Sequence, residues 1–333
     1  MYKLSVLYVS DNNYAPLLGI SMLSLFENNK DIDDITIYAA LNSVSTENMQ
    51  KLKSTADYYN RNFVIIDPTI FDIQLDTLGV PKWKGNHCTN YRLFFETILP
   101  NNIDRFIYLD CDTIICGSLK KLLNLDFQEK IAAVVLDVTI MQDYKQIIGF
   151  TKTDNYFNAG VMLININNWK LNNCTKKLLS YIKNSRSKYL YPDQDLLNIL
   201  LKNKTLLLPP EYDFMPIHRL ISDKDYYEIF GKNNYYSPTE LKNARENPKI
   251  LHTYNFIGQF PWNQNSWHPD NIIVDYYLQR SQWKNFQKFK YSNLSLLLKN
   301  ILHKILPTKI FYKLFKIMAL NDLKRKEKKI KKC

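Results

Sequence analysis

Short apolar runs alternate with helix-period segments through the first half of the chain. Strand-like runs span residues 4–9, 35–40, 63–66, 106–109, 131–136 and 161–166. Helical spacing occupies residues 17–26, 46–58 and 89–99. Because the strand-like runs are apolar on both faces and are separated by helices, they predict a mostly parallel sheet that is covered on both sides. The expected fold class is therefore α/β, with a single Rossmann-like domain.

An aspartate stands at or just beyond the end of three of these runs. Asp11, Asp110 and Asp137 follow the runs that begin at residues 4, 106 and 131. In open parallel sheets, ligands bind beyond the carboxyl ends of the strands. The sequence therefore places a candidate site at this edge of the predicted sheet.

The last fifty residues have a different pattern. Apolar residues recur at helical spacing at Leu294, Leu297, Leu298, Ile301, Leu302 and Ile305, and again at Ile310, Phe311, Leu314, Phe315 and Met318. Pro307 lies between the two sets and predicts a break between two amphipathic helices. No stretch of about 20 residues is free of charge, so this tail is not expected to span a bilayer.

The formal charge of +12 belongs to the same segment. Residues 284–333 carry 15 Lys and Arg and two acidic residues, a net +13, which leaves −1 for residues 1–283. A nearly neutral body gives no electrostatic footprint for nucleic acid, and no nucleic-acid partner is expected. A basic amphipathic tail favours binding to an anionic membrane surface. The alternatives are a helix packed on the domain with a frayed basic end, and a calmodulin-like or nucleic-acid target.

Composition excludes several classes of protein. The eight glycines form neither a dinucleotide fingerprint nor a Walker-type phosphate loop. The five cysteines show no C-x-x-C and no zinc-finger spacing, which favours reduced thiols. Residues 1–6 have no signal-peptide layout, so a cytoplasmic location is expected.

The segment Asp110-Cys111-Asp112 carries candidate metal chemistry. Two carboxylates at this spacing after a buried strand are hard oxygen ligands, which suit Mn²⁺ or Mg²⁺. A nucleoside diphosphate would need such a cation to approach two carboxylates. Taken alone, the motif also fits a turn or a helix cap.

Five sequence blocks follow one another along the chain: Tyr8-Val9-Ser10-Asp11-Asn12-Asn13-Tyr14, Tyr91-Arg92-Leu93, Phe106 to Asp112 with Gly117-Ser118-Leu119, Tyr156 to Asn165, and Asp193-Gln194-Asp195. In this order they make the chain resemble a known family, the retaining nucleotide-sugar glycosyltransferases that include bacterial lipooligosaccharide α-galactosyl- and α-glucosyltransferases and glycogenin. The resemblance runs from about Val6 to Trp262. It implies a GT-A type nucleotide-sugar-binding domain.

The resemblance implies roles for individual residues. The implied contacts to the donor nucleotide sugar come from Val9, Asp11, Asn13, Tyr14, Arg92, Asp110, Asn158 and Gly258. Within this set Tyr14 stacks on the uracil ring. Asp110, Asp112 and His252 are the implied metal ligands. The segment from Tyr212 to Pro216 is similar to the acceptor side of the bacterial enzymes.

Three residues are implied at the reacting sugar. Asp193 grips sugar hydroxyls, Asp137 contacts the donor and acceptor sugars, and Gln194 lies beneath the anomeric carbon. A covalent route needs a carboxylate at that carbon. Because an amide is a poor nucleophile, Gln194 favours front-face attack by the acceptor hydroxyl.

The chain departs from the family pattern at one place. The family usually has His-x-x-Gly-x-x-Lys-Pro-Trp, whose lysine neutralises the diphosphate, whereas Phe260 stands before Pro261-Trp262 here. A different cation, a helix N-terminus or Gln259 would have to replace that lysine.

The resulting hypothesis is a Mn²⁺- or Mg²⁺-dependent retaining transferase that uses UDP-glucose or UDP-galactose. Residues 1–283 would be the catalytic domain, with the donor part at about 1–165 and the acceptor part at 166–283, and residues 284–333 a membrane-associating tail. The acceptor would be a lipid-linked glycan of lipopolysaccharide or lipooligosaccharide core, reached from the inner face of the cytoplasmic membrane. The alternatives are a protein or teichoic-acid acceptor, and a non-catalytic UDP-sugar-binding protein.

Overall fold

The protein is described by a computed structural model. It describes residues 1–80, 82, 85–138, 142–184, 192–231, 235–290 and 294–330. Among these, no helix is both long and apolar enough to cross a membrane.

A seven-stranded mixed sheet forms the centre of the molecule. Its strands are β1 (Lys3–Asp11), β2 (Asp34–Asn42), β3 (Asn62–Ile66), β4 (Arg105–Leu109), β6 (Ala132–Leu136), β7 (Phe157–Asn165) and β8 (Thr205–Leu207). They lie in the order β3-β2-β1-β4-β7-β6-β8. A separate two-stranded sheet pairs β5 (Thr113–Ile115) with β9 (Ile250–His252). Within the large sheet only β7 is antiparallel to its neighbours β4 and β6.

Helices cover both faces of this sheet and build the tail. Those of the first half are α1 (Ala15–Asn28), α2 (Thr46–Tyr58), α3 (Thr69–Thr77), α4 (Phe95–Ile98), α5 (Lys120–Leu123) and α6 (Gln142–Ile147). Those of the second half are α7 (Ile166–Leu171), α8 (Cys174–Asn184), α9 (Pro192–Leu200), α10 (Ile217–Leu220), α11 (Asp223–Phe230), α12 (Pro238–Glu246), α13 (Asn271–Arg280), α14 (Leu294–Ile305) and α15 (Thr308–Ile330). Two 3₁₀ segments span Cys88–Phe94 and Pro210–Asp213.

Alternate residues of β1 serve opposite cores. Val6 and Tyr8 belong to the cluster under α1, while Leu7 and Val9 belong to the cluster on the other face. Every one of these four side chains is buried. This two-sided burial explains why the strand reads as a continuous apolar run, and it confirms the predicted α/β class with a mostly parallel sheet.

The predicted elements are largely present, with two differences. Ser45 caps α2 as expected, since its side chain accepts a hydrogen bond from the Asn48 N–H. The predicted helix from Thr89 to Leu99 is instead the 3₁₀ segment Cys88–Phe94 followed by the short α4. In a 3₁₀ helix residues three apart eclipse, and this winding directs Cys88, Tyr91 and Phe94 into one core. The run predicted at 161–166 begins earlier, because β7 starts at Phe157.

The tail helices contact the body of the protein. Phe311 and Tyr312 of α15 are buried in the larger core. Lys309 and Lys313 form ion pairs with Glu228 of α11. Part of the tail's positive charge is therefore matched by the Glu228 carboxylate.

Candidate active site

The two short strands β5 and β9 bring three potential metal ligands together. In their antiparallel register Thr113 lies opposite His252, so the imidazole reaches the carboxylates of Asp110 and Asp112. The His252 Nε2 atom lies 3.8 Å from Asp110 Oδ2 and 3.5 Å from Asp112 Oδ1. One ligand atom from each residue lies within 4.8 Å of the other two. Two carboxylate oxygens and one imidazole nitrogen form a donor set suited to a divalent cation.

Gly160 on β7 leaves room for this cluster. A Cβ atom at Gly160 would lie 2.2 Å from His252 Cε1 and 2.8 Å from Asp110 Oδ2. Any side chain at this position would therefore displace two of the three ligands. The Gly160 carbonyl in turn accepts a hydrogen bond from the Asp110 N–H at 2.8 Å, which holds the end of β4 against β7.

Arg92 holds the second oxygen of Asp110. Its Nη2 atom donates to Asp110 Oδ1 at 2.9 Å, and the Tyr108 hydroxyl donates to the same oxygen at 2.8 Å. Arg92 also donates to the Ala159 carbonyl at 2.9 Å and lies 3.2 Å from Asp193 Oδ2. These contacts direct the other Asp110 oxygen, Oδ2, toward His252.

Burial and charge have opposite effects on the pKa of Arg92. Burial alone would lower it, but the adjacent Asp110, Tyr108 and Asp193 raise it above its ordinary value. Burial also raises the pKa of Asp193, an effect that the guanidinium opposes. Arg92 therefore remains a fixed positive charge between two carboxylates.

A second hydrogen-bonded group contains Asp137 and Gln194, two of the three residues expected at the reacting sugar. Gln194 accepts from the Ala159 N–H at 3.0 Å, and its amide nitrogen donates to Asp137 Oδ2 at 3.2 Å. Asn158 donates to the same Asp137 oxygen at 3.1 Å. The structure thus brings Asp137, Asn158 and Gln194 together, and the donors around Gln194 fix which end of its amide is the carbonyl.

A cavity of about 190 Å³ opens beside the three potential metal ligands Asp110, Asp112 and His252, which are called the metal-ligand cluster. It is lined by Val9, Ser10, Asp11, Tyr14, Asn86, Cys88, Thr89, Arg92, Tyr108, Asp110, Cys111 and Asp112. Six of the donor- and metal-binding residues predicted from the sequence are in this lining. The 3₁₀ segment Cys88–Phe94 and the ends of β1 and β4 form the cavity walls.

Asn13 and Gly258, two of the residues implied to contact the donor, are not among the residues that line this cavity. The Asn13 side chain is exposed, and the backbone N–H of Asn13 donates to Asp11 Oδ1 at 2.9 Å, as part of the turn after β1. The Gly258 N–H donates to Asn255 Oδ1 at 2.8 Å. Gln259, considered as a substitute for the missing lysine, is fully buried and donates to Asn300 of the tail.

Comparison with known proteins identifies the family. Residues 5–266 match the model of the family described as Glycosyl transferase family 8. The chain belongs to glycosyl transferase family 8. A lipopolysaccharide 1,2-glucosyltransferase of Escherichia coli K12 is 31% identical over 85% of this chain and 79% of its own length. A lipopolysaccharide 1,3-galactosyltransferase of Salmonella typhimurium is 27% identical over 85% of this chain and 80% of its own length.

The fold has a solved counterpart. The galactosyltransferase LgtC, determined with donor and acceptor sugar analogues, superposes with a TM-score of 0.67 at 21% identity. The match covers 84% of this chain and 96% of that chain. This family 8 member therefore has the GT-A-like fold that its sequence predicted.

The sequence did not predict one contact of the metal-ligand cluster, which is made by Asp213. Asp213, assigned only to an acceptor-side segment, lies 3.0 Å from His252 Nδ1 through its Oδ1 atom. Its side chain is fully buried. A carboxylate that accepts from one imidazole nitrogen fixes the other nitrogen as the ligand and raises its basicity. A buried acid in an apolar segment was the available signal, but nothing in the sequence indicated its partner.

Replacing Asp213 tests this contact. We expect Asp213→Asn, which keeps an acceptor oxygen but removes the charge, to weaken Mn²⁺ binding by roughly 10- to 100-fold. Isothermal titration of Mn²⁺ into the protein measures the effect. Glu211→Gln, in the same 3₁₀ segment, is the control. Unchanged Mn²⁺ affinity in folded Asp213→Asn would show that Asp213 does not orient His252.

Proposed function

We propose that this protein is a metal-dependent, retaining hexosyltransferase. It moves glucose or galactose from a UDP-sugar to a glycan acceptor of lipopolysaccharide or lipooligosaccharide core and forms an α-linkage. The main support is the group Asp110, Asp112 and His252, which lies beside a cavity walled by β1 and the 3₁₀ segment Cys88–Phe94. The names of the two lipopolysaccharide transferases that it resembles agree with this substrate class.

The metal-ligand cluster fits a divalent cation, because Gly160 leaves space at the meeting point of the three ligands. Asp110, Asp112 and His252 would hold Mn²⁺ or Mg²⁺. The imidazole favours Mn²⁺ over Mg²⁺, which prefers oxygen ligands and bound water. When bound, the cation supplies positive charge that offsets the charge of the departing diphosphate.

The cavity would receive the uridine. Tyr14, half-buried at the start of α1, presents an aromatic ring to the cavity, which suits stacking on a base. Arg92 would orient the donor sugar while holding Asp110 and Asp193 in place.

The hydrogen-bonded side chains of Asp137, Asn158 and Gln194 would lie around the anomeric carbon of the donor sugar. Asp193, the adjacent carboxylate, is engaged by Arg92, which makes it a weak nucleophile. The acceptor hydroxyl oxygen would bond to the anomeric carbon on the face that the diphosphate leaves. The hydroxyl proton would pass to the departing phosphate oxygen. The Gln194 carbonyl, which uses one lone pair on Ala159, would turn its remaining lone pair toward the positive charge on the sugar.

Substitution at the metal-ligand cluster tests the function directly. We expect Asp110→Asn and Asp112→Asn each to abolish hexose transfer and Mn²⁺-dependent UDP binding, since each removes a charged ligand. UDP release from a panel of UDP-sugars, with and without acceptor glycan, measures turnover and identifies the hexose. Asp126→Asn, at an exposed carboxylate outside the site, should retain full activity. Normal turnover in either cluster variant would refute the assigned site.

The mechanism has its own test. We expect Gln194→Ala to lower kcat on the order of 100-fold, the usual cost of removing one group that stabilises developing charge. Rapid quenching of wild-type enzyme with UDP-sugar, followed by intact-protein mass spectrometry, should show no glycosyl adduct. An adduct on Asp193 or Gln194 would replace the front-face route with a covalent one.

The tail geometry supports a membrane surface as a further partner. On α14 the exposed apolar residues are Leu297, Leu298, Ile301, Leu302 and Ile305, whereas Asn300 and His303 face the body. On α15 the exposed residues include Ile310, Leu314, Ile317 and Met318. A helix that packs on its own domain normally buries its apolar face. The outward apolar face and the lysines beside it therefore suit an anionic bilayer, on the cytoplasmic side in this proposal.

Two substitutions on this outer face test membrane binding. We expect Leu298→Ser with Ile301→Ser to weaken binding to phosphatidylglycerol-containing vesicles roughly tenfold or more, since each loses on the order of 1 kcal/mol of apolar burial. Vesicle co-sedimentation measures the loss. Ile272→Ser on α13, another exposed apolar residue, is the matched control. Point variants are preferable to truncation, which would remove the buried Phe311 and Tyr312. Wild-type binding by the double variant would contradict the proposal.

A further inference from the structure

The tail helix α14 lies on the loop that follows metal ligand His252. This loop, residues 253–262, is called the donor-site loop below. A Cβ atom at Gly258 would lie 2.1 Å from Leu296 Cδ2, so the helix and the loop backbone are in close contact. Gly258 also has φ +84°, a conformation that favours glycine.

Asn300 makes the polar connection between the two elements. Its Oδ1 atom accepts a hydrogen bond from Gln259 Nε2 at 2.5 Å and another from Trp267 Nε1 at 2.8 Å. Gln259 is fully buried, and its carbonyl accepts from the Ser266 hydroxyl at 3.3 Å. A buried amide that lost its acceptor would have to move or remain unpaired. The side chain of Asn300 therefore helps to fix where the donor-site loop lies.

A ring contact supports the same packing. The His303 ring stacks on Trp267 with centroids 3.8 Å apart and planes 6° apart. Residues 296, 300 and 303 share one face of α14, and this face meets the body.

The donor-site loop reaches the candidate site at both of its ends. Tyr254, near its start, makes an edge contact with the His252 ring at 5.0 Å. Trp262, at its end, stacks on Phe260 at 4.9 Å and makes an edge contact with Tyr14 at 6.4 Å. A displacement of the loop would therefore reach both a metal ligand and the aromatic residue of the nucleoside cavity.

We propose that Asn300 is a positioning residue for donor binding, which acts through Gln259 and Trp267 on the donor-site loop. This inference rests on the proposed function, because it assigns the loop to the UDP-sugar site. The tail is then part of the enzyme's donor site as well as its membrane-facing element. Without the Asn300 acceptor, ordering the donor-site loop when the ligand binds costs more free energy. The affinity for the ligand is therefore lower.

The experiment compares full-length variants in two assays. UDP affinity is measured by isothermal titration with saturating Mn²⁺, and the KM and kcat of UDP-sugar hydrolysis are measured without acceptor. We expect Asn300→Ala to raise the UDP Kd and the donor KM about tenfold, because it removes the acceptor of both the Gln259 and the Trp267 hydrogen bonds, while kcat changes less than twofold. Asn300→Asp, which offers oxygen acceptors to both donors, should restore both constants toward wild type.

Controls separate positioning from folding. Lys304→Ala, exposed on the same helix, should leave Kd and KM at wild-type values. A purely structural role would lower the melting temperature or the active fraction of Asn300→Ala and leave its KM unchanged. If Asn300→Ala does not fold, Trp267→Phe decides the question, because it removes only the indole N–H and keeps an aromatic ring beside His303. We expect it to raise the donor KM severalfold.

Two outcomes overturn the proposal. One is a wild-type donor KM in folded Asn300→Ala or, failing that variant, in Trp267→Phe. The other is an Asn300→Asp variant as impaired as Asn300→Ala. Failure of the proposed function looks different, because the wild-type protein itself would then bind no UDP in the presence of Mn²⁺.

Discussion

Five aspartate side chains meet beyond the sheet, and their mutual repulsion is the constraint that the surrounding structure must satisfy. They are Asp110, Asp112, Asp137, Asp193 and Asp213. Carboxylates at such separations in a partly buried site ionise together only when cations or N–H donors oppose them. Arg92 forms ion pairs with Asp110 and Asp193. His252 contacts Asp110, Asp112 and Asp213, and the amides of Gln194 and Asn158 donate hydrogen bonds to Asp137. Charge compensation therefore determines the packing of the site as well as its electrostatics.

Arg92 shows how this compensation also fixes geometry. Its guanidinium contacts Asp110 after β4, the Ala159 carbonyl on β7 and Asp193 on α9. The 3₁₀ segment that carries Arg92 buries Tyr91 and Phe94 in the core beside it. The buried guanidinium of Arg92 thus links three elements at the edge of the sheet where the cavity opens.

The parts of this site that the sequence predicted are those encoded locally. Asp11 ends β1, while Asp110 and Asp137 directly follow β4 and β6, and parallel strands bring their carboxyl ends to one edge. The position of His252 depends on pairing between two three-residue strands far apart in the chain, and such short strands carry little periodicity. The family resemblance predicted His252 as a metal ligand. Neither the periodicity nor the resemblance indicated that Asp213 would contact it. Long-range pairs of this kind depend on tertiary packing, which periodicity does not encode.

The tail shows the same limit in another form. Its helical period predicted two amphipathic helices, and both are present, but periodicity alone does not say which face meets the body. The structure turns Leu296, Asn300 and His303 inward and leaves Leu297, Leu298 and Leu302 of α14 exposed. This arrangement constrains how such enzymes can diverge. A recombination event that exchanged the last fifty residues with those of a relative would also replace the hydrogen-bond partner of Gln259 and Trp267, so the tail and the donor-site loop are expected to be inherited as a unit.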